Sequence, residues 1–337
     1  MRVLVCGGAG YIGSHMVRKL IRTGHTPIVF DNMSSGHDWA LKAAFREAEE
    51  KGLQPVAING DVLNMVDLDK LFEKYEIGAV IHFSARSIVS ESVQKPELYY
   101  HGILVGSLNL LAAAQRAKVD RFIFSSTASV YGTPEDMPIL ESCPTRPITP
   151  YGHATKMVEM ILEDYCQAQN LKAVSLRYFN AAGADQAGGL GEDHDPETHL
   201  IPNVLKSIKG LTPPLEIFGN DYPTPDGTCI RDYVHVNDVA QAHLLAMEYT
   251  AKQQVPCFSA FNIGSGKGFS VLEVMAAAER VTGQWVPYKF APRRMGDPAV
   301  LVASADKARE ELGWVPEIAC LDEIIRTAWN WVNERWQ

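Results

Sequence analysis

Three short segments set proton-handling side chains at the ends of apolar runs. Phe124-Ser125-Ser126-Thr127 runs from apolar residues into hydroxyls, Pro150-Tyr151-Gly152-His153-Ala154-Thr155-Lys156 opens a helical stretch reaching about Gln169, and Arg177-Tyr178-Phe179-Asn180 closes a further apolar run. The hydroxyl of Thr127, the phenol of Tyr151 and the ammonium of Lys156 together make a proton-transfer set. A free tyrosine titrates near pH 10 and is a poor base at neutrality. A neighbouring positive charge has to favour its phenolate before it can take a proton. Alone, Tyr151 reads more readily as an aromatic packed at a helix start, so the chemical reading rests on its company.

Such a set needs a scaffold, and the chain opens with one. Val3-Leu4-Val5-Cys6 reads as a buried strand, Gly7, Gly10 and Gly13 follow at three-residue steps, Ser14–Arg22 is helical, and Pro27-Ile28-Val29-Phe30 ends in Asp31. A βαβ unit of this kind aims backbone N–H groups and a helix N-terminus at a pyrophosphate, and its terminal carboxylate accepts from two ribose hydroxyls. A carboxylate there repels a 2′-phosphate, which favours NAD over NADP. Further strand-like runs at Gln54–Ile58, Ala79–Phe83, Arg121–Phe124 and Ala173–Leu176 alternate with amphipathic stretches such as Met65–Tyr75 and Ser107–Ala117. That alternation predicts an α/β fold, a doubly wound parallel sheet of Rossmann type with helices on both faces. Beyond about residue 180 Gly and Pro become frequent in Ala181–Gly191 and Thr212–Gly227. The expected organisation is a nucleotide-binding domain over 1–180 and a smaller C-terminal α/β substrate lobe over 181–337, with some segments interleaved. Leu321–Trp336 has helical spacing and reads as a packing helix.

Bulk composition narrows the class. The chain has 337 residues, 46% of them hydrophobic, enough for a large core and two lobes. Its net charge is −9 with the basic residues scattered, which argues against a nucleic-acid surface. Cys6, Cys143, Cys166, Cys229, Cys257 and Cys320 lie far apart with no C-x-x-C pair, so reduced thiols in a cytoplasmic protein are expected. The apolar runs are strand-sized, and neither a leader nor a membrane span is expected.

Longer motifs carry a resemblance. GGAGYIGSH at 7–15, Asp31-Asn32, Gly60-Asp61-Val62, SSTASVYG at 125–132, PYG at 150–152, RYFNAAGA at 177–184, GEDHDPETHLIP at 191–202, IFGNDYPTPDGTCIRDYVHV at 217–236 and RRMGDPA at 293–299 resemble the extended short-chain dehydrogenase/reductases, and within them the UDP-glucose 4-epimerases, over nearly the full length. The resemblance implies that bound NAD+ takes and returns a hydride at C4 of UDP-glucose or UDP-galactose. Tyr151 would take the 4-OH proton and Thr127 would hydrogen-bond the 4-oxygen. The cofactor would be held by Gly7, Gly10, Tyr11, Ile12, Gly13, Asp31, Asn32, Ser35, Ser125, Tyr151, Lys156 and Tyr178, with Asp61 and Val62 at the adenine and Phe83 and Ser84 lining the site. Arg231 and Arg294 match pyrophosphate-binding arginines, Asp297 a ribose-binding carboxylate and Asn180 a sugar or phosphate contact. Phe179, His199, Leu200, Phe218, Tyr233, Val271 and Leu301 complete the implied substrate site, Leu301 beside the sugar C2 substituent. A homodimer through helices on one side of the nucleotide lobe is also implied. Without the resemblance, Arg231 beside Asp232 reads as a surface ion pair and Arg293-Arg294 as a solvated turn.

The chain departs from the family pattern at three places. The family has Tyr-x-x-x-Lys, but Thr155 stands four positions after Tyr151 and Lys156 five. On a regular helix the fifth position faces about 140° away. The expectation is an overwound first turn that brings Lys156 back to the cofactor, the alternative a missing ammonium. Gly102-Ile103 replaces an Asn pair, and Ser87 replaces a lysine for which Arg86 could compensate. Other features resolve as decoys. Asp193-His194-Asp195 with His199 matches no zinc spacing, so no metal is expected. Ser125, Ser126 and His153 lack a nucleophile elbow. His82, Trp314 and Trp329 read as packed residues. Other readings are an epimerase of another UDP-sugar (an N-acetylhexosamine, uronate or pentose), or a binding protein that has lost turnover. A dehydratase fits less well, because the strand end reads Ser-Ser-Thr-Ala with no acidic pair.

Overall fold

The computed structural model describes residues 1–294 and 297–336. Its first half alternates strand and helix: β1 (Arg2–Cys6), α1 (Tyr11–Arg22), β2 (Thr26–Asp31), α2 (Asp38–Phe45), β3 (Val56–Asn59), α3 (Met65–Lys74), β4 (Ala79–His82), α4 (Val89–Gln94), α5 (Pro96–Tyr99), α6 (Gly106–Arg116), β5 (Arg121–Thr127), α7 (Pro150–Ala168) and β6 (Lys172–Tyr178). The second half adds β7 (Asn180–Ala182), α8 (Leu200–Ile208), β8 (Leu215–Phe218), β9 (Ile230–His235), α9 (Val236–Lys252), β10 (Cys257–Ile263), β11 (Gly268–Ser270), α10 (Val271–Thr282), β12 (Tyr288–Ala291), β13 (Val300–Leu301) and α11 (Leu321–Arg335).

Seven strands form one parallel sheet in the order β10-β6-β5-β4-β1-β2-β3. Strand order reverses between β1 and β4, which opens a crevice at the carboxyl ends of those strands where ligands of such sheets sit. Val3, Leu4, Val5, Val80, Ile81, Phe122, Ile123, Ala173 and Val174 have no exposed surface, as expected for strands covered on both faces. One apolar core lies under α1, α2 and α9, the other under α3, α6 and α7.

The sheet reaches into the second half of the chain for β10, and α9 packs on α1, so the nucleotide lobe is not closed at residue 180. The smaller lobe has its own core, in which Ile201, Val204 and Leu205 of α8 meet Val274 and Ala278 of α10 and Ile324, Ile325 and Ala328 of α11. Its sheets are β11-β9-β13, with β7 also on β9, and the pair β12-β8. Trp314 is fully buried and donates to the Asp238 carbonyl at 2.9 Å. Trp329 packs half-buried against the smaller lobe's core, and His82 is buried with Nε2 3.0 Å from Ser107 Oγ. Among the described residues, no helix is long and apolar enough to cross a membrane.

Candidate active site

The glycine turn shows which of its glycines the protein itself needs. Gly7 adopts φ +79°, and a Cβ there would lie 2.8 Å from the Ser84 amide nitrogen; a Cβ on Gly13 would lie 2.1 Å from the Gly7 carbonyl oxygen. Both are required by packing. Gly10 differs: a Cβ there would meet only the Gly7 carbonyl, at 3.5 Å. It is the N-cap of α1, ahead of amides on Tyr11, Ile12 and Gly13 that a helix start leaves without intrahelical acceptors. Open space over free amides is what a close-approaching anion requires.

Asp31 ends β2 and shapes the rim. Its Oδ2 accepts from the Ala9 amide and its Oδ1 from the Met33 amide, both at 2.9 Å. Asn32 donates to Asp61 Oδ2 at 3.0 Å, and Asp61 Oδ1 accepts from Leu63 N at 2.9 Å, so those polar residues form one ledge beside the half-buried backbone near Val62. Ser35 is exposed in the loop beyond. Phe83 follows β4, hydrogen-bonded through its amide to Cys6 O at 2.8 Å, and its ring lies 4.6 Å from that of His243.

At the same sheet edge, register sets Thr127 opposite Tyr178. Thr149 caps α7, accepting from Gly152 N at 3.2 Å, and thereby starts the helix so that Tyr151 enters the site buried. Burial pushes the Tyr151 phenol above its ordinary value, and the neighbouring Thr127 hydroxyl pulls it partly back. Tyr178, also raised by burial and by the nearby Tyr151, accepts from Ser125 Oγ at 3.0 Å.

The first turn of α7 is not overwound, which corrects the expectation for Lys156. Thr155 Oγ1 donates to the Tyr151 carbonyl at 2.9 Å, the ordinary i to i−4 placement, and Thr155 is buried on the Tyr151 face. Lys156 Nζ lies instead 3.6 Å from Glu159 Oε2. Glu159 is itself a buried hub that the sequence reading missed. It accepts from Ser126 Oγ at 2.7 Å and from Arg177 at 2.8 and 2.9 Å, while Arg177 also donates to Tyr131 OH at 2.9 Å. Arg86, next to Ser87, is exposed and paired with Glu91 at 3.3 Å. A Cβ on Gly102 would meet nothing within 4 Å.

The smaller lobe brings its own groups to the crevice. Arg231 does not pair with Asp232, which corrects the surface-pair reading, because neighbours on a strand point to opposite faces. Asp232 turns inward to accept from Ser265 N, Gly266 N and Ala303 N at 2.7, 3.0 and 3.1 Å, whereas Arg231 Nη2 lies 3.2 Å from Asp297 Oδ1. The Arg294 guanidinium lies 3.9 Å over the Phe218 ring, while Arg293 and Arg294 both stay exposed. Leu301, opposite Arg231 in β13, packs against the cluster containing Phe179 and Tyr131. Asn180 pairs with Tyr233 across β7 and β9, and Val271 begins α10. His199 caps α8 just ahead of Leu200 and touches Glu192, which also accepts from His194 at 3.1 Å. Burial opposes their charges, yet the contacts win: His194 is pushed up to about 10, His199 is raised, and Glu192 falls to about 2.

With this arrangement in view, comparison with known proteins is decisive. The family model for GDP-mannose 4,6 dehydratase matches residues 4–328. A UDP-glucose 4-epimerase of Halalkalibacterium halodurans is 46% identical over 334 residues, covering 99% of this chain and 96% of that protein. The chain belongs to the UDP-glucose 4-epimerase family. Solved members have the same fold. The epimerase of Brucella ovis, in complex with NAD, superposes with a TM-score of 0.91 at 44% identity, covering 98% of this chain and 97% of that one. That of Bifidobacterium longum, with NAD+ and UDP, gives 0.94 at 38% identity and covers 99% of both. The regular start of α7 keeps Thr155, and not Lys156, one helical turn from Tyr151.

Proposed function

We propose that this chain interconverts UDP-glucose and UDP-galactose by inverting C4 through a 4-keto sugar, with NAD+ retained between turnovers. The observation that carries the reading is the pairing of a buried Tyr151 phenol with a buried Thr127 at the carboxyl edge of the sheet, in a chain 46% identical to a UDP-glucose 4-epimerase. The residues fit the cofactor: Gly10 leaves a cradle over three helix-start amides, and Asp31 offers carboxylate lone pairs at the end of β2. When bound, NAD+ supplies a reversible two-electron acceptor for the sugar C4.

The chain's own groups do the rest. Tyr151 holds the proton of the 4-OH while C4 is a ketone and returns it afterwards, and Thr127 orients the 4-oxygen through its hydroxyl. Arg231 and Arg294 bind the diphosphate with planar donor forks, and Asp297 takes a ribose hydroxyl. Lys156, paired with Glu159, stays outside the proton path. The strand end after Thr127 is Ala128, and no acid stands there for a dehydration.

A homodimer fits the surface of the nucleotide lobe. Val93 on α4, Leu98 on α5 and Met157 and Met160 on α7 are 61%, 38%, 40% and 53% exposed, on helices that pack together. A cytoplasmic setting suits six free cysteines. Incubating the purified protein with UDP-galactose and no added NAD tests the activity. Formation of UDP-glucose without net redox supports it, and absence of product from protein that retains its dinucleotide overturns it.

A further inference from the structure

The loop ahead of α8 gathers a group of side chains that epimerisation does not use as such. Glu192, His194, Glu197 and His199 each offer one ligand atom, and these four atoms lie within 4.8 Å of one another. Glu192 Oε1 is 3.1 Å from His194 Nδ1 and in contact with His199 Nδ1; Glu197 Oε1 is 3.8 and 3.9 Å from the same two nitrogens. We propose that these four residues bind one zinc-class divalent ion through two imidazole Nδ1 atoms and two carboxylate oxygens.

The geometry suits a tetrahedral ion. Ligand atoms about 2.1 Å from zinc stand about 3.4 Å from one another, a value that the observed separations bracket, from 3.1 Å up to within 4.8 Å. The two imidazoles favour zinc or a similar first-row ion over magnesium or calcium, which prefer oxygen-only shells. Two carboxylates offset the dication, so the filled site is neutral. Empty, the cluster is poorly satisfied. Glu192 Oε1 must accept from two rings at once, and Glu197 Oε2 is buried without a hydrogen bond, its side chain 6% exposed, with Lys206 Nζ 3.5 Å away.

The backbone around the ligands is held by an outer set of contacts, as metal sites usually are. Trp331 Nε1 of α11 donates to Glu192 O at 2.8 Å, His37 Nε2 lies 2.7 Å from Asp193 O, and the amides of Thr198 and His199 donate to Glu197 Oε1 at 2.9 and 3.1 Å. Asp193, a candidate ligand on spacing alone, is instead paired with Arg335 at 3.0 Å. Coordination through Nδ1 leaves the ring proton of His199 on Nε2, which fixes it as a donor. That consequence rests on the proposed sugar-nucleotide reading, in which His199 and Leu200 line the substrate; ion binding does not.

The test uses the full-length, untagged protein, stripped with a chelator and then loaded with Zn2+. Elemental analysis after gel filtration is expected to find about one zinc per chain, with a rise in Tm over the stripped protein. Glu192→Gln and His194→Asn should each lose that zinc and, measured against its own stripped form, show no rise in Tm on loading. Co2+ in place of zinc should give the intense visible bands of a four-coordinate site on the unaltered chain, a readout independent of any variant's folding. Less than about a tenth of an equivalent of zinc on the unaltered chain, equal zinc on the variants, or only the weak bands of hydrated cobalt would overturn the proposal. Turnover of UDP-galactose is scored separately, so loss of one reading leaves the other standing.

Discussion

Thr155 lies one helical turn beyond Tyr151, where the Tyr-x-x-x-Lys pattern would set an ammonium, and its hydroxyl is spent on the Tyr151 carbonyl. Burial meanwhile raises the phenol. The sign follows directly: a base whose pKa is raised is protonated over more of the neutral range, so kcat should climb with pH well above 7. Thr155→Lys should move that acid limb down by about one unit and raise kcat at neutral pH about tenfold, the effect of one nearby opposite charge. Lys156→Ala should leave the limb in place, since its ammonium faces Glu159. A pH–rate series on the three proteins checks both, and a collapse of the Lys156→Ala rate would restore Lys156 to the proton path. Leu301, packed with Phe179, marks the C2 side of the sugar. Leu301→Tyr should suppress turnover of a UDP-N-acetylhexosamine while sparing UDP-galactose; equal loss on both substrates, measured as kcat/KM, would reject that role.

The glycine turn separates packing from binding within one element. Adding a methyl at Gly13 drives Cβ to 2.1 Å from the Gly7 carbonyl, backbone against backbone. Gly13→Ala should therefore lower Tm by several degrees, in line with overpacking costs of about 1–3 kcal/mol. Gly10→Ala meets only one protein atom at 3.5 Å and should keep its Tm, yet it should purify with little dinucleotide, because its methyl occupies the cradle. Thermal scans with absorbance of extracted cofactor distinguish the two. On α7, Met160→Glu places a charge at the proposed partner face, 53% exposed in one chain. Light scattering should then report monomers where the parent is dimeric.

At the scale of the molecule, four buried histidines set the acid limit. Burial lowers His15, His82 and His243 to about 4 and His235 to about 3, against 6.5 unfolded. A depressed pKa contributes stability that is present above the unfolded value and lost as pH falls toward the folded one, because the unfolded chain binds more protons in that window. Stability should fall from about pH 6.5 toward pH 4. His194 works in the opposite direction: raised to about 10, it contributes fully below 6.5 and loses that contribution as pH rises through about 10. Denaturant titrations of stripped protein across pH 4 to 10 should thus show a maximum near neutrality, and a flat acid side would contradict the histidine account.

Local patterning was enough for the opening βαβ unit. Val3 to Cys6, the glycine steps and Asp31 announce a βαβ unit because burial on both faces, a free φ and a strand-end carboxylate are each written in residue type. The spacing of Thr155 and Lys156 posed a question that only the regular turn of α7 and the pull of Glu159 could answer. Contacts between distant segments were out of reach of any pattern. Arg231 found Asp297 66 residues away, Glu159 on α7 found Arg177 on β6, and β10 returned to the nucleotide sheet from beyond the substrate segments. Glu192, His194, Glu197 and His199 are near neighbours in the chain, but an irregular loop has no period from which their convergence could be read. Tertiary structure decided these pairings because each depends on which backbone faces which, and that is set by the packing of whole elements.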